Sequence, residues 1–187
     1  LTEMMSYGIV QLINTENIDV TVDLHEASPE YPVINALIAH ERAMNLASNV
    51  VVDMQMEGVQ ISLEPSPTDL RGLTHRELGD HTDTLALLME APNPAQGRLR
   101  DRTDEALVLT GKSETYVKAG EIGQLYVPYD ENGWPIEVRC ARHVFGIERI
   151  LANYSEMYEE PIIVTGMPSY DELVKNGMGP YLNEPTT

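Results

Sequence analysis

The chain has 187 residues, 42% of them hydrophobic, and its 12 Lys and Arg against 30 Asp and Glu leave a formal charge of −18. That length and apolar content suit one globular domain with a core of its own, and they exclude an acidic disordered tail. The charge excludes a nucleic-acid or anionic-membrane surface, since phosphate contacts need clustered Lys and Arg, whereas Lys112, Lys118 and Lys175 are the only lysines.

A single cysteine, Cys140, rules out an internal disulfide and a cysteine-based zinc or iron–sulfur site. No apolar run approaches the roughly 18 residues of a membrane-spanning helix. No basic stretch leads into an apolar one at the start, so no signal peptide is read and a cytoplasmic location is expected.

In chain order, residues 3–14 space Met4, Met5, Ile9, Leu12 and Ile13 as a short helix. Ile18 to His25 is rich in β-branched residues and predicts a buried strand ending at a histidine. Pro32 suits the first turn of a helix over 33–48, with Ile34, Leu37, Ile38, Met44 and Leu46 on its apolar face. Residues 50–56 and 59–63 read as strands, and a polar, turn-rich stretch over 64–72 leads to a helical turn near 75–78. Thr84 to Glu90 is a second apolar strand, closed by Ala91-Pro92-Asn93-Pro94. A loop over 95–101 follows, then helices over 103–111, 115–126 and 138–158, the last stopped before Pro161. Residues 166–187 read as an extended surface tail. Strands alternating with helices predict an α/β fold with a mixed, largely parallel sheet flanked by helices.

Three groups of residues carry candidate chemistry. His25 closes a buried strand, the place where open α/β sheets hold ligands. Neutral imidazole is the commonest metal ligand, and Asp23 or Glu26 beside it suits the role of orienting carboxylate. A strand-end histidine facing solvent is the alternative. Glu90 closes the run Leu85 to Met89, where poor solvation raises a carboxyl pKa and makes it a general base. Pairing with Arg98, Arg100 or Arg102 is its plainer role. Those arginines form a cluster suited to clamping a carboxylate substrate, chiefly Arg98 and Arg100, or to partnering surface acids.

His75 and His81 stand six apart, which is neither His-Glu-x-x-His spacing nor one helix face, so a surface or supporting role is favoured over direct ligation. His40 and His143 read as residues at the face or core edge of amphipathic helices. Gly111-Lys112-Ser113 is no phosphate loop, because position 106 is Ala where the first glycine is needed.

The succession of helix, apolar strand, Asp23-Leu24-His25, and second apolar strand ending Leu87-Leu88-Met89-Glu90-Ala91-Pro92 resembles the C-terminal part of the carboxypeptidase A-like zinc metallopeptidases. That superfamily includes the succinylglutamate desuccinylase and aspartoacylase branch. The resemblance spans about residues 1–160 and is carried by short motifs. It implies that His25 is the later zinc histidine and Glu90 the catalytic glutamate. Their separation (90 − 25 = 65 positions) is similar to the family's.

The family's His-x-x-Glu pair has no match before His25, and the residues that bind the substrate carboxylate there would also lie upstream. The resemblance therefore implies residues 1–165 as the C-terminal part of such a domain, incomplete at its N-terminus. Its partner would be a missing N-terminal segment or a second copy of the chain. The intact protein is expected to hydrolyse a peptide or N-acyl amino-acid amide bond with zinc, as a carboxypeptidase or deacylase. The chain alone is expected to be inactive and to bind zinc weakly or not at all, since one imidazole does not supply the three protein ligands of a catalytic zinc. The alternative is a non-catalytic acidic binding or scaffolding module of the same fold.

Overall fold

The computed structural model describes residues 2–27, 35–92 and 135–182. They form helix α1 (Thr2–Glu16), strands β1 (Val20–Ala27) and β2 (Ala36–Ala39), and a 3-10 turn (Glu41–Ala43) that runs into helix α2 (Met44–Met56). Strand β3 (Ser62–Pro65), helix α3 (Thr74–His81) and strand β4 (Leu85–Pro92) follow, then helices α4 (Ile136–Tyr158) and α5 (Tyr170–Asn176) and a last 3-10 turn (Gly179–Tyr181). The strands make one mixed sheet in the order β1-β4-β2-β3. β1 runs parallel to β4 and β2 parallel to β3, while β2 and β4 are antiparallel. The chain thus adopts the α/β class with a largely parallel sheet flanked by helices. Among the described residues no helix is long and apolar enough to cross a membrane.

β4 has a strand on either side and helices on both faces, which is why it reads as an unbroken apolar run. Leu87 and Met89 point to one face, with Leu37 and Ala39 of β2. There they pack against Leu46, Val50 and Met54 of α2 and Phe145, Ile150 and Tyr154 of α4. Ala86 points to the other face, against Ile13 of α1 and Leu78 of α3. Each large side chain removed from water in this core contributes about 1.5–3 kcal/mol.

Of the helix expected over 33–48, residues 33–34 lie outside the described residues and only the part from Met44 onward, the start of α2, is α-helical. Ala36–Ala39 is instead a strand between β4 and β3, with Ala36 and Leu37 wholly buried. A run of four apolar residues has too few positions to separate a buried strand from a helix turn by periodicity. The strand expected over 50–56 is the second half of α2. Its β-branched Val50, Val51 and Val52 favour extended chain, yet the buried positions Leu46, Ala47, Val50, Val51 and Met54 repeat with the helical period, and burial on that face outweighs propensity. The stretch read as an extended tail contains α5, capped by the reciprocal bonds of Ser169 and Glu172, with Leu173 fully buried. The helices expected over 103–111 and 115–126 lie outside the described residues.

α3 is fastened to the far ends of β2 and β3 by a buried guanidinium. Arg76 makes a two-pronged pair with Glu41 at 2.8 and 3.0 Å, donates to the Ser66 carbonyl at 2.6 Å, and reaches the Ser66 hydroxyl at 3.1 Å. Arg76 holds the Glu41 carboxyl down to about 2. His40, expected inside a helix, caps the 3-10 turn instead; its Nδ1 accepts from the Arg42 amide, so Nε2 donates to Asp80 at 3.1 Å. The His40 ring lies against Gly79, where an added Cβ would overlap it.

That contact sets the docking of α3. Gly79→Ala is expected to lower unfolding free energy by about 1–3 kcal/mol through overpacking against a rigid ring. Gly8→Ala, in exposed α1 with nothing within 4 Å of the new methyl, is expected to raise it by roughly 0.5–1 kcal/mol through helix propensity. Denaturant titration checks the pair, and equal effects at both positions would contradict this packing.

Candidate active site

β1 and β4 are parallel neighbours with His25 directly opposite Glu90, so the two side chains leave the sheet on one face at the carboxyl ends of adjacent strands. Asp23, two residues back, shares that face, which is the one covered by α1 and α3. His25 Nε2 lies 3.2 Å from Asp23 Oδ2, and its Nδ1 lies 3.8 Å from Glu90 Oε1. From behind the sheet, His143 of α4 places Nε2 3.0 Å from the His25 carbonyl oxygen.

The electrostatics separate these groups. The Glu90 side chain is only 16% exposed, and its Oε2 is shut off from solvent with no hydrogen-bond partner. Burial, with the negative charge of Asp23 adding to it, pushes the Glu90 carboxyl up to about 7. His75 of α3 is buried, with neither ring nitrogen hydrogen-bonded, and burial pulls it down to about 4 against the opposing pull of Asp23. The His25 side chain is 46% exposed and so open to a ligand; its Nε2 faces Asp23 and its Nδ1 lies on the Glu90 side.

The structure brings three of the expected residues together: His25, Glu90 and Asp23. Glu26, expected to orient His25, is not among them. Alternation along the strand sends it to the opposite face, where it pairs with Arg139 of α4. Arg98, Arg100 and Arg102 lie outside the described residues. His81 is exposed and pairs with Glu77 at 3.4 Å, the surface role expected of it. Among the described residues no group of three His, Cys, Asp or Glu is placed to hold one metal ion.

Sequence reasoning missed the buried polar seam beside the site. Arg142 Nη2 donates to Asn35 Oδ1 at 2.7 Å and also meets the Gln60 carbonyl, and Asn35 Nδ2 donates to that carbonyl at 2.6 Å. Burial pulls the Arg142 guanidinium down to about 10, still a cation at neutral pH. The available signal was Arg139, Arg142 and His143, spaced i, i+3, i+4 and so on one helix face. Compared with models of known protein families, with curated proteins and with solved structures, the chain matches none.

The raised Glu90 pKa makes a signed prediction. The folded chain holds this proton up to about pH 7 and the unfolded chain only to about 4.5, so Glu90 favours folding at low pH and that contribution is lost as pH rises through 7. Glu90→Gln removes the dependence. Its stability relative to the unmodified chain is expected to climb between pH 4.5 and 7 by on the order of 3 kcal/mol, then level off. His75 has the opposite sign, favouring folding above about 6.5 and losing that contribution toward 4, and it cancels from this comparison. A flat difference between pH 4.5 and 8 would contradict a buried Glu90.

Proposed function

We propose that the end of β1 and β4 is part of the active site of a zinc-dependent amide hydrolase acting on a peptide C-terminus or an N-acyl amino acid. The observation that carries the reading is the placement of a buried carboxyl, held near neutrality in its titration, opposite a solvent-open imidazole at parallel strand ends. Asp23 supports it by standing 3.2 Å from Nε2 of His25, as carboxylates commonly stand beside metal-binding histidines.

The residues described fit one ligand position of a zinc site and its base. The reading requires further zinc ligands besides His25. When bound, zinc supplies a Lewis acid that polarises a carbonyl and lowers the pKa of water. Within this chain, Asp23 orients the imidazole. Glu90, ionised above about 7, takes a proton from water at its buried carboxylate and returns it to the leaving amine. Arg98 and Arg100 are the side chains proposed to pair with the substrate carboxylate. The lone Cys140 accords with a cytoplasmic enzyme, and the net negative charge with the lack of nucleic-acid or anionic-membrane partners.

The test is made on the polypeptide that carries this chain with its remaining ligands. Metal analysis should find about one zinc, and turnover of acylated amino acids or short peptides should fall by about 10²–10⁴-fold in Glu90→Gln with zinc retained. Zinc-free protein that is fully active, or an unimpaired Glu90→Gln, would overturn the reading.

A further inference from the structure

Among the described residues β1 is an edge strand: it pairs with β4 alone, and its last residues carry His25. The direction of a side chain at a strand end follows its Cα–Cβ bond and therefore the peptide planes on either side. An edge strand holds those planes by one ladder only.

Two side chains of α4, one helical turn apart, reach the end of this strand. His143 meets the His25 carbonyl at 3.0 Å, and Arg139 pairs with the Glu26 carboxylate. Together they grip both sides of the peptide that joins residues 25 and 26. A carbonyl oxygen only accepts, so His143 Nε2 must carry the proton and donate it. The other nitrogen, Nδ1, is shut off from solvent with no partner. A neutral imidazole with one buried, unmatched lone pair costs more than an apolar ring of similar size. The group is therefore poor as packing, and among the described residues its one polar contact is with His25.

We infer that His143 is a positioning residue for His25: its Nε2–H bond to the His25 carbonyl, seconded by the Arg139–Glu26 pair, fixes the strand end so that the imidazole faces Asp23 and Glu90. The inference deepens the hydrolase reading and rests on it for the purpose of the positioning, since a histidine that binds nothing needs no fixed direction. Helix α4 thereby becomes part of the site from the opposite face of the sheet.

Histidine-ring NMR on the metal-free 187-residue chain tests this. In the unmodified chain His143 should show a protonated Nε2 and a bare Nδ1. The Nδ1–H tautomer would overturn the proposal, and this measurement needs no variant to fold. His143→Phe, which keeps a ring and removes the donor, should move the His25 ring resonances and speed amide exchange at Glu26 and Ala27 about fivefold, the worth of one hydrogen bond. His143→Gln, which keeps an N–H donor, should restore both toward the unmodified values while His81 stays unchanged throughout. Unmoved His25 resonances in His143→Phe, or equal disturbance in both variants, would overturn it. The readouts need no metal, so they are decided apart from whether His25 binds zinc.

Discussion

The parallel pairing of β1 with β4 is the constraint on which the candidate site depends. Its register puts His25 opposite Glu90 and Asp23 on the same face. Because side chains alternate along a strand, a slip of one residue in either strand would separate these groups to opposite faces of the sheet. The register is held by the requirement that Leu87 and Met89 enter the core under α2 and α4 while Ala86 meets Ile13 and Leu78 on the other side. The same alternation that fills the core therefore delivers the imidazole and the carboxyl to one edge. The juxtaposition of these groups at this edge is a consequence of packing along the whole of β4.

The charge of the chain and the charge of the site pull in different directions. With 18 more acids than bases, the surface repels anions, yet the site proposed here takes a substrate with a carboxylate. Three local features temper that repulsion. Glu90 is close to half protonated at neutral pH because it is buried and lies near Asp23. Arg142 remains a cation in the seam beside β2, and Arg139 neutralises Glu26 on the far face. At the opposite end of the sheet, Arg76 gathers Glu41 and Asp80 around a single buried cation.

Much of this was legible in the sequence, and the failures have definite physical sources. The two strands that carry the site were readable because each is a long apolar run ending abruptly in ionisable residues, Asp23-Leu24-His25 and Met89-Glu90. Spacing placed Asp23 and His25 on one face, but Glu26, expected beside His25, falls on the other by the same alternation and pairs with Arg139. β2 was not legible, since Ala36–Ala39 is too short to show a period and its strand character comes from two neighbours distant in sequence. α2 was misread because Val50 to Val52 favour extended chain locally, and only the sheet beneath them decides otherwise. The role of α4 was hidden for the same reason: Arg139, Arg142 and His143 share a helix face, but nothing local to that helix names the strand end they meet.

The central claim is that Glu90 is a buried carboxyl beside His25, tuned to exchange a proton near neutral pH. Carbon-13 NMR of the glutamate side-chain carboxyls, assigned by loss of one signal in Glu90→Gln, measures this directly. The account predicts a Glu90 midpoint at about pH 7. A midpoint at the ordinary glutamate value near 4.5 would contradict it, and with it the assignment of Glu90 as the base.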